Sequence, residues 1–75
     1  MKVTLKMIGP LVYAAGFSEK EVELPEATKA DQLLSMINLD KTRPKIITRN
    51  GKAINSHEVL EDGDRVVISP IYSGG

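Results

Sequence analysis

Residues 2–7, KVTLKM, alternate polar and apolar side chains. Val3, Leu5 and Met7 fall on one side and Lys2, Thr4 and Lys6 on the other, the period-two pattern of a half-buried strand. Gly9-Pro10 ends that run, and LVYAAGF continues as a loop or short helical turn. KEVEL, residues 20–24, alternates again, with Val22 and Leu24 inward, Glu21 and Glu23 outward, and Pro25 as its stop. The period then changes. Ala30, Leu33, Leu34 and Ile37 stand at i, i+3, i+4 and i+7, one apolar stripe of a helix. Thr28 is its expected N-cap, with Asp31 in the capping-box position. Asn38 to Asp40 is where it should unwind.

KIIT, from Lys45, reads as a strand that reaches Arg49. Asn50-Gly51 is the preferred dipeptide of a two-residue hairpin turn, where both residues take positive φ, and KAI returns the chain. NSHEVL is expected to make one helical turn capped by Ser56. EDGD is a turn, with Gly63 as its permissive residue. RVVIS is the last strand. Val66 and Ile68 share one face and Val67 makes the other apolar as well, which predicts a central position in the sheet. Pro70, lacking a ladder donor, ends it.

The predicted order is strand, strand, helix, strand, short strand, strand. A main helix with one apolar stripe must cover one face of a mixed sheet. The fold class is therefore α+β, a β-grasp (ubiquitin-like) arrangement, with one domain over 1–70 and a flexible C-terminal tail over 71–75. A chain of 75 residues buries only about 60% of its unfolded surface, so modest stability is expected.

Charge and composition remove several functions. Ten basic residues balance ten acidic ones, whereas a nucleic-acid binder needs a cationic surplus to displace counterions from phosphate. Lys6 and Pro10 break up the apolar residues of the N-terminus, so no signal-peptide core is visible. No apolar run approaches the roughly 20 residues that span a bilayer. These features predict a cytoplasmic protein, monomeric when free, with no nucleic-acid or membrane partner. There is no cysteine, hence no disulfide, no zinc-thiolate cluster and no side-chain thiol nucleophile.

Candidate chemistry within the body is sparse. His57 is the only histidine and reads as a solvated turn residue. The carboxylates of EDGD lack the spacing of a calcium loop. RNGK and EDGD both lack the glycine run of a phosphate loop, so no bound cofactor or metal is expected. Met7 and Met36 are assigned to core packing. Residues 41–52 hold five basic side chains and no acidic one, and residues 19–31 five acidic and two basic. They read either as solvated faces or as a field that steers a partner protein.

The C-terminal SPIYSGG remains. From Pro70 to Gly75 an extended chain reaches roughly 20 Å. Ile71 and Tyr72 are apolar side chains beyond the last strand, suited to a groove on another protein. Gly74 and Gly75 lack side chains, so a carboxylate at Gly75 could enter a channel that any β-carbon would block.

IGPLVYAAGFSEKEVELPEATKADQLLSMI, residues 8–37, resembles the first half of a molybdopterin synthase small subunit (MoaD), with a long loop after strand one and an acidic second strand. RNGKAINSHEVLEDGDRVVISPIYSGG, residues 49–75, is similar to the half that this branch shares with the thiamine sulfur carrier (ThiS). The resemblance to these ubiquitin-like sulfur carriers covers essentially the whole chain. It implies that Gly75 is the reactive carboxylate and that Gly74, Ser73, Tyr72, Ile71 and Pro70 form the tail that partners grip. Tyr72 stands where MoaD-type tails carry an aliphatic residue; Ser73 keeps their small one.

In the family, an adenylating enzyme of the ubiquitin-activating type uses ATP to make an acyl-adenylate at that carboxylate. Sulfur then displaces AMP and leaves a thiocarboxylate. The resemblance thus implies a carrier rather than an enzyme. Its partners would be that adenylating enzyme and the molybdopterin synthase large subunit, in molybdenum or tungsten cofactor synthesis. Three alternatives remain open: thiazole synthase as acceptor, isopeptide linkage to a lysine, and a non-covalent interaction domain.

Overall fold

The computed structural model describes residues 1–37, 39 and 44–71. The chain forms β1 (Lys2–Met7), α1 (Leu11–Ala15), β2 (Glu19–Glu23), α2 (Ala30–Met36), β3 (Lys45–Arg49), β4 (Lys52–Ile54) and β5 (Arg65–Pro70). The five strands make one mixed sheet in the order β2-β1-β5-β3-β4. β5 is central, as its two apolar faces require. It runs parallel to β1, with Leu5 opposite Val66 and Met7 opposite Ile68. It runs antiparallel to β3, with Ile47 opposite Ile68 and Lys45 opposite Pro70.

The alternation in β1 is realised as expected: Val3, Leu5 and Met7 are buried while Lys2 stays exposed. Val66 and Ile68 of β5 and Ile47 of β3 continue the same face. Against it lie Ala30, Leu33 and Leu34 of α2, with Leu24, Leu39 and Leu60 closing the core and Ile37 packed at its margin. Burying one such leucine contributes about 1.5–3 kcal/mol, so seven residues of α2 hold to the sheet by packing rather than by propensity. This is the β-grasp, ubiquitin-like fold.

Local details differ from expectation. α2 is capped at Lys29, whose N–H donates to Gln32 Oε1 at 2.8 Å. The Thr28 hydroxyl is instead taken by the Pro25 carbonyl at 2.7 Å, so Thr28 pins the preceding turn and Asp31 is not its capping partner. In the turn after β4 it is Asn55, not Ser56, that caps: Asn55 Oδ1 accepts from the His57 N–H at 2.8 Å. Met36 is 54% exposed and is no core residue. Three positions after Leu33, it stands roughly 60° outside the edge of the apolar stripe.

The Asn50-Gly51 turn has the predicted backbone, with φ of 52° and 87°, and pairs Arg49 with Lys52. Ala27, with φ of 63°, is a second non-glycine residue in the left-handed region.

Candidate functional site

β5 carries the chain from the centre of the fold toward the C-terminus. On one side its last residues are held by β3: Ser69 is opposite Ile46 and Pro70 opposite Lys45. The Ile71 N–H reaches the Pro44 carbonyl at 3.4 Å. On the other side β1 leaves earlier. The Ile8 N–H donates to the Ile68 carbonyl at 3.0 Å, and Gly9-Pro10 then turn the chain into α1. Ser69, Pro70 and Ile71 therefore project past the last contact with β1.

The sequence explains this exit. Ile47 and Ile68 point into the core, so neighbouring positions Ile46 and Ser69 face away from α2. Ile46 is 43% exposed, Ile8 is 37% and Ile71 is 50%. Ile46 is opposite Ser69 on one side of β5, and Ile8 follows Met7, the partner of Ile68, on the other. Of the site residues expected from the sequence, Pro70 ends β5 and Ile71 is exposed at the root. Tyr72, Ser73, Gly74 and Gly75 lie outside the described residues. Ile8 and Ile46 escaped the sequence reading; their signal is the strict alternation that places each beside a buried residue.

Charged side chains pair across β1 and β2 on the same outer face. Glu19 faces Lys6 and Glu23 faces Lys2 across β2 and β1, and Arg65 Nη2 meets Glu19 Oε1 at 3.1 Å. Glu19 and Glu23 thus have cationic neighbours on the sheet, and charges on β2 also guard an edge strand against stray pairing. Arg49, one of the five basic residues in 41–52, is engaged as well: it donates to the Val59 carbonyl at 2.8 Å and stands 3.7 Å from Glu58 and 3.8 Å from Asp64. Lys41 and Arg43 lie outside the described residues.

The EDGD carboxylates serve the backbone. Asp64 accepts from the Glu61 N–H at 2.8 Å and Asp62 from the Lys2 N–H at 2.7 Å. His57 is 80% exposed, with Nδ1 3.7 Å from Asp31 Oδ2. Among the described residues no group of three His, Cys, Asp or Glu side chains could hold a metal ion. No helix among them is long and apolar enough to cross a membrane.

A mixed sheet in the order β2-β1-β5-β3-β4, with β1 and β5 parallel at its centre and α2 across one face, defines a ubiquitin-like β-grasp protein. The chain belongs to the ThiS family, whose model matches residues 5–75, a family of small ubiquitin-like carriers. Among solved structures it is similar to a putative molybdopterin converting factor subunit 1 from Pyrococcus furiosus, at 28% identity and a TM-score of 0.79, covering 93% of this chain and 97% of that one. It is also similar to SAMP1 from Haloferax volcanii, at 19% identity and a TM-score of 0.80, with 100% of both chains covered. A third likeness is to a complex of subunits 1 and 2 of the molybdopterin-converting factor from Helicobacter pylori, at 21% identity and a TM-score of 0.66, again over 100% of both chains. The last two likenesses concern the fold.

Proposed function

We propose that this chain carries sulfur as a thiocarboxylate on Gly75 for synthesis of a molybdopterin-type cofactor. A carboxylate is a poor electrophile until one oxygen becomes part of a good leaving group. An adenylating enzyme would let a Gly75 carboxylate oxygen attack the α-phosphate of ATP, releasing pyrophosphate. A sulfur nucleophile would then add to the acyl carbon and expel AMP. The product is a nucleophilic sulfur on a slim tether, which fits a chain with no cysteine. ATP belongs to the partner enzyme.

The observation that carries this reading is the family match through residue 75 on a body whose central strand, β5, leads into that segment. The molybdopterin branch is supported by the 28% identity to the Pyrococcus subunit 1. The acceptor on this reading is a molybdopterin synthase large subunit, the kind of pairing named for the Helicobacter protein. The likeness to SAMP1 favours one second reading, in which the same adenylate ends in an isopeptide bond to a lysine. A thiazole synthase is the acceptor if the chain serves the thiamine branch.

Purifying the tagged chain from its own cells and identifying the enzyme that accompanies it tests the branch. A molybdopterin synthase large subunit is expected. Thiazole synthase, or lysines bearing a Gly-Gly remnant of this chain, would replace that reading with one of the others.

A further inference from the structure

We infer that Asn50 is a modification site: it deamidates through attack by the Gly51 nitrogen, the folded turn holds that reaction back, and its product breaks the contact that secures the start of β5. Of the asparagines in the chain only Asn50 precedes a glycine; Asn38 is followed by Leu39 and Asn55 by Ser56. Attack by the next backbone nitrogen on a side-chain carboxamide is least hindered when that next residue has no side chain. Gly51 is exposed, and a β-carbon there would meet nothing within 4 Å, so no neighbouring side chain shields the nitrogen.

The reaction needs only water. The Gly51 nitrogen gives up its proton to solvent and bonds to Asn50 Cγ, closing a succinimide ring. The bond from Cγ to Nδ2 breaks, and Nδ2 leaves with a proton as ammonia. Water then adds to either ring carbonyl and reopens the ring, leaving an aspartate or an isoaspartate at position 50. One water is consumed, one ammonia is released and nothing is oxidised or reduced.

The fold opposes the first step. Asn50 Nδ2 donates to Asp64 Oδ1 at 3.0 Å, and Asn50 Oδ1 accepts from the Arg65 N–H at 2.9 Å. The Asn50 N–H donates to the Arg65 carbonyl at 2.8 Å, and Arg49 pairs with Lys52 across the turn. Ring closure requires the carboxamide to leave both side-chain partners. Opening two hydrogen bonds together lowers the reactive population by roughly tenfold or more.

The product does not fit the place that its precursor held. An acid at position 50 has no Nδ2 donor, and its carboxylate faces the buried Asp64 carboxylate at the same short range. Like charges that close disfavour each other. The nearest cation, Arg49, stands 3.8 Å from Asp64 Oδ2 and is already shared with Glu58. Isoaspartate also adds a methylene to the main chain, so the two-residue turn no longer closes in register. The modification therefore loosens the junction from which β5 starts.

The test follows deamidation of the full chain at mildly alkaline pH, folded and in guanidinium chloride. Cleavage after lysine under acidic conditions gives the peptide 46–52, which holds Asn50 alone among the asparagines. In denaturant Asn50 should convert faster than Asn55, and folding should slow it by roughly tenfold or more. Asp64→Ala should return several-fold of that rate to the folded chain. Ile68→Val, brought to the same global stability with dilute denaturant, should not. Equal rates in the folded and unfolded chain, no conversion in either, or equal acceleration by the two variants would overturn the inference. Asn50→Asp supplies a check on the product that does not depend on these rates. It should lower the urea midpoint, and do so much less when Asp64→Asn removes the second anion. An unchanged midpoint, or the same drop in both backgrounds, would also overturn it.

Discussion

Asn50 Nδ2 donates to Asp64 Oδ1 at 3.0 Å, joining the β3–β4 turn to the turn that launches β5. The same side chain accepts from the Arg65 N–H through Oδ1 at 2.9 Å, and the Asn50 N–H donates to the Arg65 carbonyl at 2.8 Å. Asp64 is buried and uses its second oxygen for the Glu61 N–H. The N-G and D-G-D motifs, distant in sequence, are thus one hydrogen-bonded cluster at the start of the strand that ends at the tail.

Two substitutions separate the backbone role of Asn50 from its side-chain role. Asn50→Gly keeps the left-handed φ of the turn and removes both side-chain bonds, leaving Asp64 Oδ1 without this donor. It should cost about 1–3 kcal/mol in urea unfolding. Asp64→Ala should cost a similar amount, and the double variant clearly less than the sum, since both changes remove the same contact. Strict additivity would mean that the bridge contributes nothing.

Ala27 holds a left-handed backbone with φ of 63°, which disfavours any L side chain by about 1–2 kcal/mol. Glycine relieves that cost but gives the unfolded chain about 0.5–1 kcal/mol of extra freedom. Ala27→Gly should therefore leave stability unchanged or raise it by roughly 0.5 kcal/mol. A loss above about 1 kcal/mol in equilibrium unfolding would show that the methyl group packs usefully.

Gly74→Val tests the requirement for a slim tail. Stability should shift by less than about 0.5 kcal/mol, because the position lies beyond the last strand. Adenylation should be lost, since a branched side chain next to Gly75 would obstruct a channel matched to glycine. A variant activated at the wild-type rate would contradict the narrow channel.

Much of the framework is legible because its signals are local or periodic. The alternation of Val3, Leu5 and Met7 states which face of β1 is buried, and Asn50-Gly51 states where β3 returns as β4. The apolar character of Val66, Val67 and Ile68 places β5 at the centre of the sheet. Choices among competing polar groups are not legible in this way. Thr28 has the right identity for an N-cap, but its hydroxyl finds the Pro25 carbonyl first, and Gln32 satisfies the helix start instead. Asn55 wins over Ser56 for the same kind of reason: its oxygen reaches the His57 N–H. Met36 shows the limit of hydrophobicity as a guide to burial, because its angle around α2 sets it in solvent beside the apolar stripe. The five residues of α1 are too few to display a helical period. Of the site, a reactive end at Gly74 and Gly75 is a proposal that the sequence suggests only through the family resemblance; the exposure of Ile46 follows from strand parity once the pairing of β5 is in place.

The most direct measurement is the mass of the C-terminal peptide after reaction. The chain is incubated with its adenylating enzyme, MgATP and a sulfur donor, then cleaved after Arg65. The peptide from Val66 to Gly75 contains no methionine, so oxidation at Met1, Met7 or Met36 cannot imitate the product. The account predicts a mass gain equal to exchange of one oxygen for one sulfur, located at Gly75 by fragmentation and abolished when Gly75 is removed. An unmodified peptide, a shift that maps to another residue, or a shift that survives without Gly75 would contradict it.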